Sequence, residues 1–251
     1  MKHRIVAVVS VKGGVGKTSL AVHLALSLAA KNLRVLVIDL DHNNNATDFF
    51  LRDEDVSAIE TKNVKQVFLE KIAIEQAVWR IEKGGAGLDV VPATPALWSI
   101  GQELVAEPMA LNRFTAQVRT LDYDAVIFDT PPARCFELQA ALYSADIFLI
   151  PVSPNRWIVQ NYNLITGELR KVEQSTGRKP VAKVVPYMVS PTGLEFVREV
   201  NIWDSLAAAF PRDPAVQNST DGGRALKGAC KSAKLFAGCS EELIGLMRKG
   251  A

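Results

Sequence analysis

The sequence predicts an α/β fold: a mainly parallel, twisted sheet flanked by helices on both faces. Two observations predict it. Short β-branched runs alternate along the chain with stretches of helical periodicity, the pattern of strand–helix–strand units. Between the first such run and the first such stretch lies a glycine-rich loop ending in Lys-Thr-Ser, a signal that requires a strand behind it and a helix ahead of it.

The elements follow in order. Ile5–Val9 is short, apolar and β-branched, as expected of a strand buried on both faces. Lys17–Lys31 places Leu20, Leu24 and Leu28 on one face with Ala21 and Ala25, the spacing of a helix. Arg34–Asp39, reading RVLVID, is a second buried strand. Further strands are expected at Leu88–Val91, Ala125–Phe128, Ile147–Val152 and Val181–Val185, with helices at Met109–Leu121, Glu137–Ser144 and Ile158–Gln174. The polar, mixed segment Asp53–Gly87 is expected to form helices and loops at the sheet edge. No internal repeat, low-complexity segment or long Pro/Gly/Ser linker divides the chain. Residues 1–251 are therefore expected to form one domain, its first strand starting near residue 4 with no separate domain ahead of it.

Composition excludes several function classes. With 251 residues, 48% of them hydrophobic, the chain can bury a sizeable core. A formal net charge of +2 means that affinity for nucleic acid must come from a local patch. Cys135, Cys230 and Cys239 are far apart and form no CxxC pair, so no zinc or iron–sulfur spacing exists; reduced thiols are expected. The apolar run near the N-terminus is too short for a signal peptide, and no window approaches the roughly 18 apolar residues of a membrane span. The sequence therefore predicts a cytoplasmic protein.

The loop reads Val11-Lys12-Gly13-Gly14-Val15-Gly16-Lys17-Thr18-Ser19. Glycines let the backbone wrap close and turn its N–H groups toward phosphate oxygens, and the following helix N-terminus adds partial positive charge. Lys17 is placed to reach the β- and γ-phosphates of ATP, and the Thr18 hydroxyl to ligate Mg²⁺. Lys12 through Ser19 form the predicted nucleotide site within a P-loop NTPase fold. One position departs from the general pattern: Val11 stands where a first glycine is usual, and a second lysine, Lys12, follows it.

Two carboxylate elements accompany the loop. Asp39-Leu40-Asp41 closes the second strand, on the ligand side of an α/β sheet; a surface turn also uses aspartate, and the residues alone leave both readings open. Tyr123–Pro132, reading YDAVIFDTPP, is an apolar strand ending in Asp129.

The extra lysine before GGVGKT is the signature of the deviant Walker A loop, and here the chain resembles the ParA/MinD family of ATPases. The resemblance implies that Lys12 reaches across a homodimer to the partner's nucleotide, so that ATP joins a two-fold sandwich. It implies that Asp39 lies near the Mg²⁺ shell, that Asp41 orients the attacking water, and that Asp129 holds Mg²⁺ through water. It extends to GLDVVPATPAL (87–97), to Ser144-Ala145-Asp146 with IFLIPV, and to Phe210-Pro211-Arg212, which implies Pro211 and Arg212 beside the base. The chain departs from the family at His42-Asn43-Asn44 in the first switch, and at Pro186-Tyr187, where an asparagine is usual.

The partition branch of the family binds DNA without sequence preference as the ATP dimer and answers to a ParB-like adaptor. Arg224, Lys227, Lys231 and Lys234 recur at three- and four-residue spacing with no acid between Gly222 and Ser240; if that segment is helical, they share one face. Gly228 within it weakens the helix expectation. Arg198 is a further candidate. The expected protein is thus nucleoid-associated, with no membrane partner. The tail from Glu241 to Lys249 opens with two acids and reads as a helix packed on the core rather than a membrane helix. A membrane-surface positioning ATPase and an ATP-dependent small-molecule ligase are the alternatives; a cluster-bridging cysteine pair is missing.

Overall fold

A computed structural model describes residues 4–81, 87–154, 158–200, 204–206, 208–228 and 230–249, with the side chains of Arg4, Arg198 and Val200 set aside. The predicted strands form as β1 (Arg4–Val8), β2 (Val35–Asp39), β4 (Leu88–Val91), β5 (Ala125–Asp129), β6 (Ile147–Val152) and β7 (Val181–Val189). Two short strands, β3 (Trp79–Arg80) and β8 (Phe210–Pro211), close the edges. The spatial order is β3-β4-β2-β5-β1-β6-β7-β8, with β3 antiparallel to β4 and every other pair parallel.

The central strands are apolar up to the aspartates that end β2 and β5, because both faces are covered. Ile5, Ala7, Leu36, Ile38, Val126 and Phe128 face one apolar layer, which includes Phe114 of α6 (Ala110–Thr120) and Leu138 of α7 (Phe136–Ser144). The alternate residues, Val6, Val8, Val35, Val37 and Ile127, face the other. That second layer is built by α1 (Lys17–Ala29) through Leu20, Leu24 and Leu28, and by the terminal helix α11 (Lys231–Lys249) through Phe236, Cys239 and Leu243. The expectation of a tail packed on the core is therefore met.

The structure refines the sequence reading at three places. The segment 53–87 does lie at the sheet edge, as α3 (Val56–Thr61), α4 (Val64–Phe68) and β3, following α2 (Asn45–Leu51). β7 runs to Val189, past Pro186; a proline is tolerated near the sheet edge, where among the described residues the outer side is paired by the two residues of β8 and a bridge from Val184 to Ser205. The basic segment is not one helix. α10 (Pro214–Asp221) stops at Gly222, Gly223 takes a left-handed φ of 59°, and residues 224–227 are irregular before α11 begins. Arg224 and Lys227 thus share no helical face with Lys231 and Lys234; the glycines end the helix that their spacing suggested.

His23 of α1 sits where α1, α2, α10 and α11 meet. It is 3% exposed, its Nε2 lies 3.1 Å from the Thr220 Oγ1, and its ring packs on Phe49 and Phe236. Burial holds its pKa down at about 4. The unfolded chain takes up this proton near pH 6.5 and the folded one only near 4, so falling pH within that window favours unfolding. Between pH 7 and pH 5 this group should cost the fold about 2 kcal/mol. Denaturant unfolding of the wild type and His23→Asn at both pH values checks this: the substitution should remove that share of the acid loss, and an unchanged pH dependence would reject it.

Candidate functional site

The loop from Val9 to Gly16 leaves β1 at its C-terminal end and feeds α1. Gly14 and Gly16 have φ of 72° and 85°, conformations that side-chain-bearing residues avoid. At Gly16 the close approach is as decisive: a Cβ there would lie 2.3 Å from the ring of Tyr187. Gly16 caps α1 without a side chain, so no cap competes for the N–H groups of the first turn. Lys17 is 7% exposed, and its Nζ donates to the Lys12 carbonyl at 3.3 Å. The Lys12 N–H donates to Ser10 Oγ at 3.1 Å. Lys12 is thus fixed at both ends of its backbone.

Strand register brings the carboxylates together. Asp39 and Asp129 are Cα partners on β2 and β5, and Asp129 is also opposite Val8, where the loop departs. Both side chains are fully buried. Asp39 is tethered: Oδ1 accepts from Asp41 N–H at 3.0 Å, and Oδ2 from the Thr47 N–H at 2.9 Å and hydroxyl at 2.8 Å. Burial, against these hydrogen bonds, still raises its pKa to about 6. Asp129 differs: neither of its oxygens has a hydrogen-bond partner. Burial, then the charge of Asp39, push its pKa well above the usual carboxylate range; the nearby Thr18 hydroxyl and Lys17 offset only part of this. Lys17 is in turn lowered by burial, with Asp129 and Asp41 opposing. Two orphaned carboxylate oxygens beside a threonine hydroxyl suit a hard cation whose other ligands are not protein atoms. Among the described residues no cluster of His, Cys, Asp and Glu could hold a metal by itself.

The first switch contains residues that spacing alone did not reveal. Asn43 donates to Asp41 Oδ1 through its N–H at 3.0 Å and its Nδ2 at 2.9 Å, and His42 Nδ1 lies 3.8 Å from the same oxygen. The departure at His42-Asn43 therefore builds a local clamp on Asp41; the aspartate-to-residue-plus-two pattern of an Asx turn was its only signal. Thr47 links Asp39 to the loop after β4, because its hydroxyl also accepts from Ala93 N–H at 2.9 Å. In the second switch, Thr130 Oγ1 donates to the Val8 carbonyl at 2.7 Å.

Beside the loop a cleft of about 640 Å³ is lined by Gly14, Ser19, Tyr187, Pro211, Arg212 and Gln217. The structure thus brings Pro211 and Arg212 to the phosphate loop. Tyr187 occupies the floor, 3% exposed, with its ring against Phe210 and a buried hydroxyl lacking a hydrogen-bond partner. The sequence marks Tyr187 only as a departure where an asparagine is usual; its contact with Gly16, far away along the chain, has no local signal. A larger cleft, about 1240 Å³, lies between Arg34, Arg80 and Tyr123 at the opposite ends of the strands, away from the carboxylates. In sheets of this kind chemistry belongs to the carboxyl ends.

Of the cationic candidates, Arg224, Lys227, Lys231 and Lys234 are exposed. Arg198 is on α9 (Pro191–Val200), its side chain outside the described residues.

A family model described as an AAA domain matches residues 3–180. The chromosome partitioning protein ParA of Myxococcus xanthus is 32% identical over 174 residues, 68% of this chain and 59% of that protein; the chain therefore spans less than two thirds of that relative. The chromosome-partitioning ATPase Soj of Thermus thermophilus is 30% identical over 191 residues, 75% of this chain and 70% of that protein. Among solved structures, apo McdA from Cyanothece superposes with a TM-score of 0.82 at 21% identity, covering 96% of this chain and 99% of that one. Cobyrinic acid a,c-diamide synthase from Mycobacterium smegmatis, with a bound ATP analog and magnesium, superposes with 0.80 at 23% identity, covering 99% and 97%. At these identities the structural likeness shows the shared fold.

The orphaned carboxylate makes a prediction for the ligand-free protein. Its folded pKa exceeds its unfolded one, so its cost to stability appears as pH rises above about 4. Asp129→Asn should raise the ligand-free melting temperature at pH 7.5 by a few degrees, about 1–2 kcal/mol, with the gain shrinking toward pH 4. Calorimetric melts at both pH values decide it; destabilisation at pH 7.5 would mean that Asp129 is paired.

Proposed function

We propose, taking as premise that the chain belongs to the AAA-domain family and within it to the ParA-type partition ATPases, that it is an ATP-driven switch for DNA partition. The observation that carries the reading is the buried Asp129 carboxylate, unpartnered beside Lys17 and Thr18 at the mouth of the phosphate loop. That geometry suits Mg-ATP.

Each residue then has a task. The N–H groups of Gly13 to Ser19 and the Lys17 ammonium bind the phosphates. Magnesium, held by Thr18 and Asp129 with Asp39 beside it, would neutralise charge on the β- and γ-phosphates. Asp41, its plane fixed by Asn43, orients the attacking water, the main catalytic task in phosphoryl transfer. Lys12, fixed through its backbone, serves the partner's nucleotide in a two-fold ATP dimer. Tyr187, Pro211 and Arg212 border the base.

The acid-free stretch from Gly222 to Ser240 favours DNA as the surface on which the dimer rides, with release triggered by a ParB-like adaptor. It presents Arg224, Lys227, Lys231 and Lys234; Arg198 is a separate candidate on α9. A membrane surface is less well supported. The apolar side of α11 is already buried on α1, and among the described residues no helix is long and apolar enough to cross a membrane. The same fold serves a synthase in Mycobacterium smegmatis, so the fold does not choose between partition and small-molecule ligation; the basic stretch favours partition. The protein would act in the cytoplasm, on the nucleoid, as one ATPase domain over residues 1–251.

Two measurements test this. Asp41→Ala should bind ATP and dimerise, yet turn over roughly 100-fold or more slowly; hydrolysis at the wild-type rate would remove Asp41 from the mechanism. Random-sequence duplex DNA should retain the protein with ATP and not with ADP. Retention should weaken at least about 100-fold between 50 and 200 mM salt, as four or more phosphate contacts require. An ATP dimer that ignores DNA would sink the DNA arm while leaving the ATPase intact.

A further inference from the structure

β7 breaks its own alternation at Tyr187. Val184 faces the layer of α6 and α7, and Val185 the layer of α1, yet Tyr187 and Met188 both pack on the α1 layer. The strand bulges there: its register against β8 shifts between Tyr187 and Val189, and Met188 takes a left-handed φ of 55°, a conformation that a methionine avoids. Ser153 Oγ donates to the Tyr187 carbonyl at 2.8 Å and so holds the bulge from the neighbouring strand end. Bulges beside functional sites re-aim a side chain, and strain of this kind persists only where the surroundings fix it. The side chain aimed here is that of Tyr187.

Its ring fills the space that Gly16 leaves open beneath the phosphate loop, with Phe210 behind it at 5.3 Å between ring centres. Its hydroxyl is buried there and makes no hydrogen bond with the described residues, a costly arrangement in the empty protein. Burial raises the pKa of the phenol, so the group keeps its proton and is a donor; the Ser19 hydroxyl beside it offsets part of that rise. Ser19 is the matching acceptor. It is half-buried in the first turn of α1 and lines the cleft beside the loop. Its Oγ accepts from Thr220 Oγ1 at 3.2 Å, but Thr220 has one proton and the Val216 carbonyl, at 2.9 Å, competes for it. Among the described residues no acceptor takes the proton of Ser19 itself.

We propose that Tyr187 is a positioning residue for nucleotide binding that acts through Ser19: when a phosphate oxygen accepts a hydrogen bond from the Ser19 hydroxyl, the Tyr187 hydroxyl donates to Ser19 Oγ and holds it toward the anion. The proposal rests on the reading that the loop holds Mg-ATP. A hydroxyl that donates to an anion becomes a better acceptor, so the two bonds strengthen each other. The donor that is unused in the empty protein is then used in the loaded one.

The test uses the full chain and a ribose-labelled fluorescent ADP, which keeps ATP-dependent association out of the measurement. The variants are Tyr187→Phe, which retains the ring against Gly16, Ser19→Ala, and the two combined. Without nucleotide, Tyr187→Phe should melt at or above the wild-type temperature, because it deletes a buried hydroxyl that has no partner. Its dissociation constant should nevertheless rise about three- to tenfold, the range of one hydrogen bond. The double variant should bind no more weakly than Ser19→Ala alone, since the phenol acts only through that oxygen. Wild-type affinity in Tyr187→Phe would overturn the proposal. So would losses that multiply in the double variant, which would give the hydroxyl a contact of its own with base or sugar. A lower melting temperature of nucleotide-free Tyr187→Phe would also overturn it, because the hydroxyl would then be paired in the empty protein. A wild type that binds no nucleotide would remove the phosphate-loop reading and this proposal together.

Discussion

A shortage of positive charge at one buried point governs the rest of the structure. Asp39 and Asp129 face each other across β2 and β5 with Asp41 two residues on, and Lys17 is the buried ammonium set among them. Strand register leaves no freedom to separate them, because sliding either strand by one residue would turn its apolar set to the wrong layer. Burial strains both sides of the balance: it raises the carboxyls and lowers the lysine. Asp39 is compensated by three hydrogen bonds, whereas Asp129 has none. The fold thus concentrates its unpaired charge on one group, and in the proposed reading a magnesium nucleotide relieves it, bringing a cation to Asp129 and an anion to the loop N–H groups. A site that is least stable when empty is suited to a switch.

That point is wired to its surroundings by short polar links. Thr47 joins Asp39 to Ala93 and so to the segment that follows β4. Thr130 joins the second switch to β1. On the base side, Thr220 of α10 lies within hydrogen-bond distance of both Ser19 and His23 of α1, and Arg52, just after α2, donates to the Asp221 carbonyl at 2.9 Å. The two switches, the cleft beside Tyr187 and the phosphate loop therefore share neighbours. A rearrangement at any one of them has polar partners to carry it.

Much of this was legible in the sequence, for a physical reason. A phosphate loop is a local device: its glycines, lysine and threonine are consecutive, and its strand and helix carry their own periodicities. Asp39 and Asp129 were readable because each ends an apolar strand. What escaped was long-range or small. Tyr187 matters because Gly16 lets its ring approach, a contact made across most of the chain. β3 and β8 are two residues each, below the length at which alternation means anything. The basic segment misled because cation spacing imitates a helix, while Gly222, the cap of α10, and Gly223, with its left-handed φ, decide the backbone.

The broken basic segment has its own logic. It leaves α10 through hydrogen bonds from Ser219 to the Arg224 carbonyl and from the Arg224 N–H to Ser219, and enters α11 where Ser232 donates to Asp213, the cap of α10. Arg224 and Lys227 are thus carried by a short loop pinned at both ends to α10, and α10 is the helix that touches Ser19 and borders the base-side cleft. A continuous helix would hold its cations in one fixed row whatever the nucleotide did. A loop pinned to the helix beside the base sets its two cations by the position of α10 as well as by α11. In the proposed reading, affinity for DNA then depends on whether the four cations meet the phosphate spacing together, which is a property the nucleotide can change.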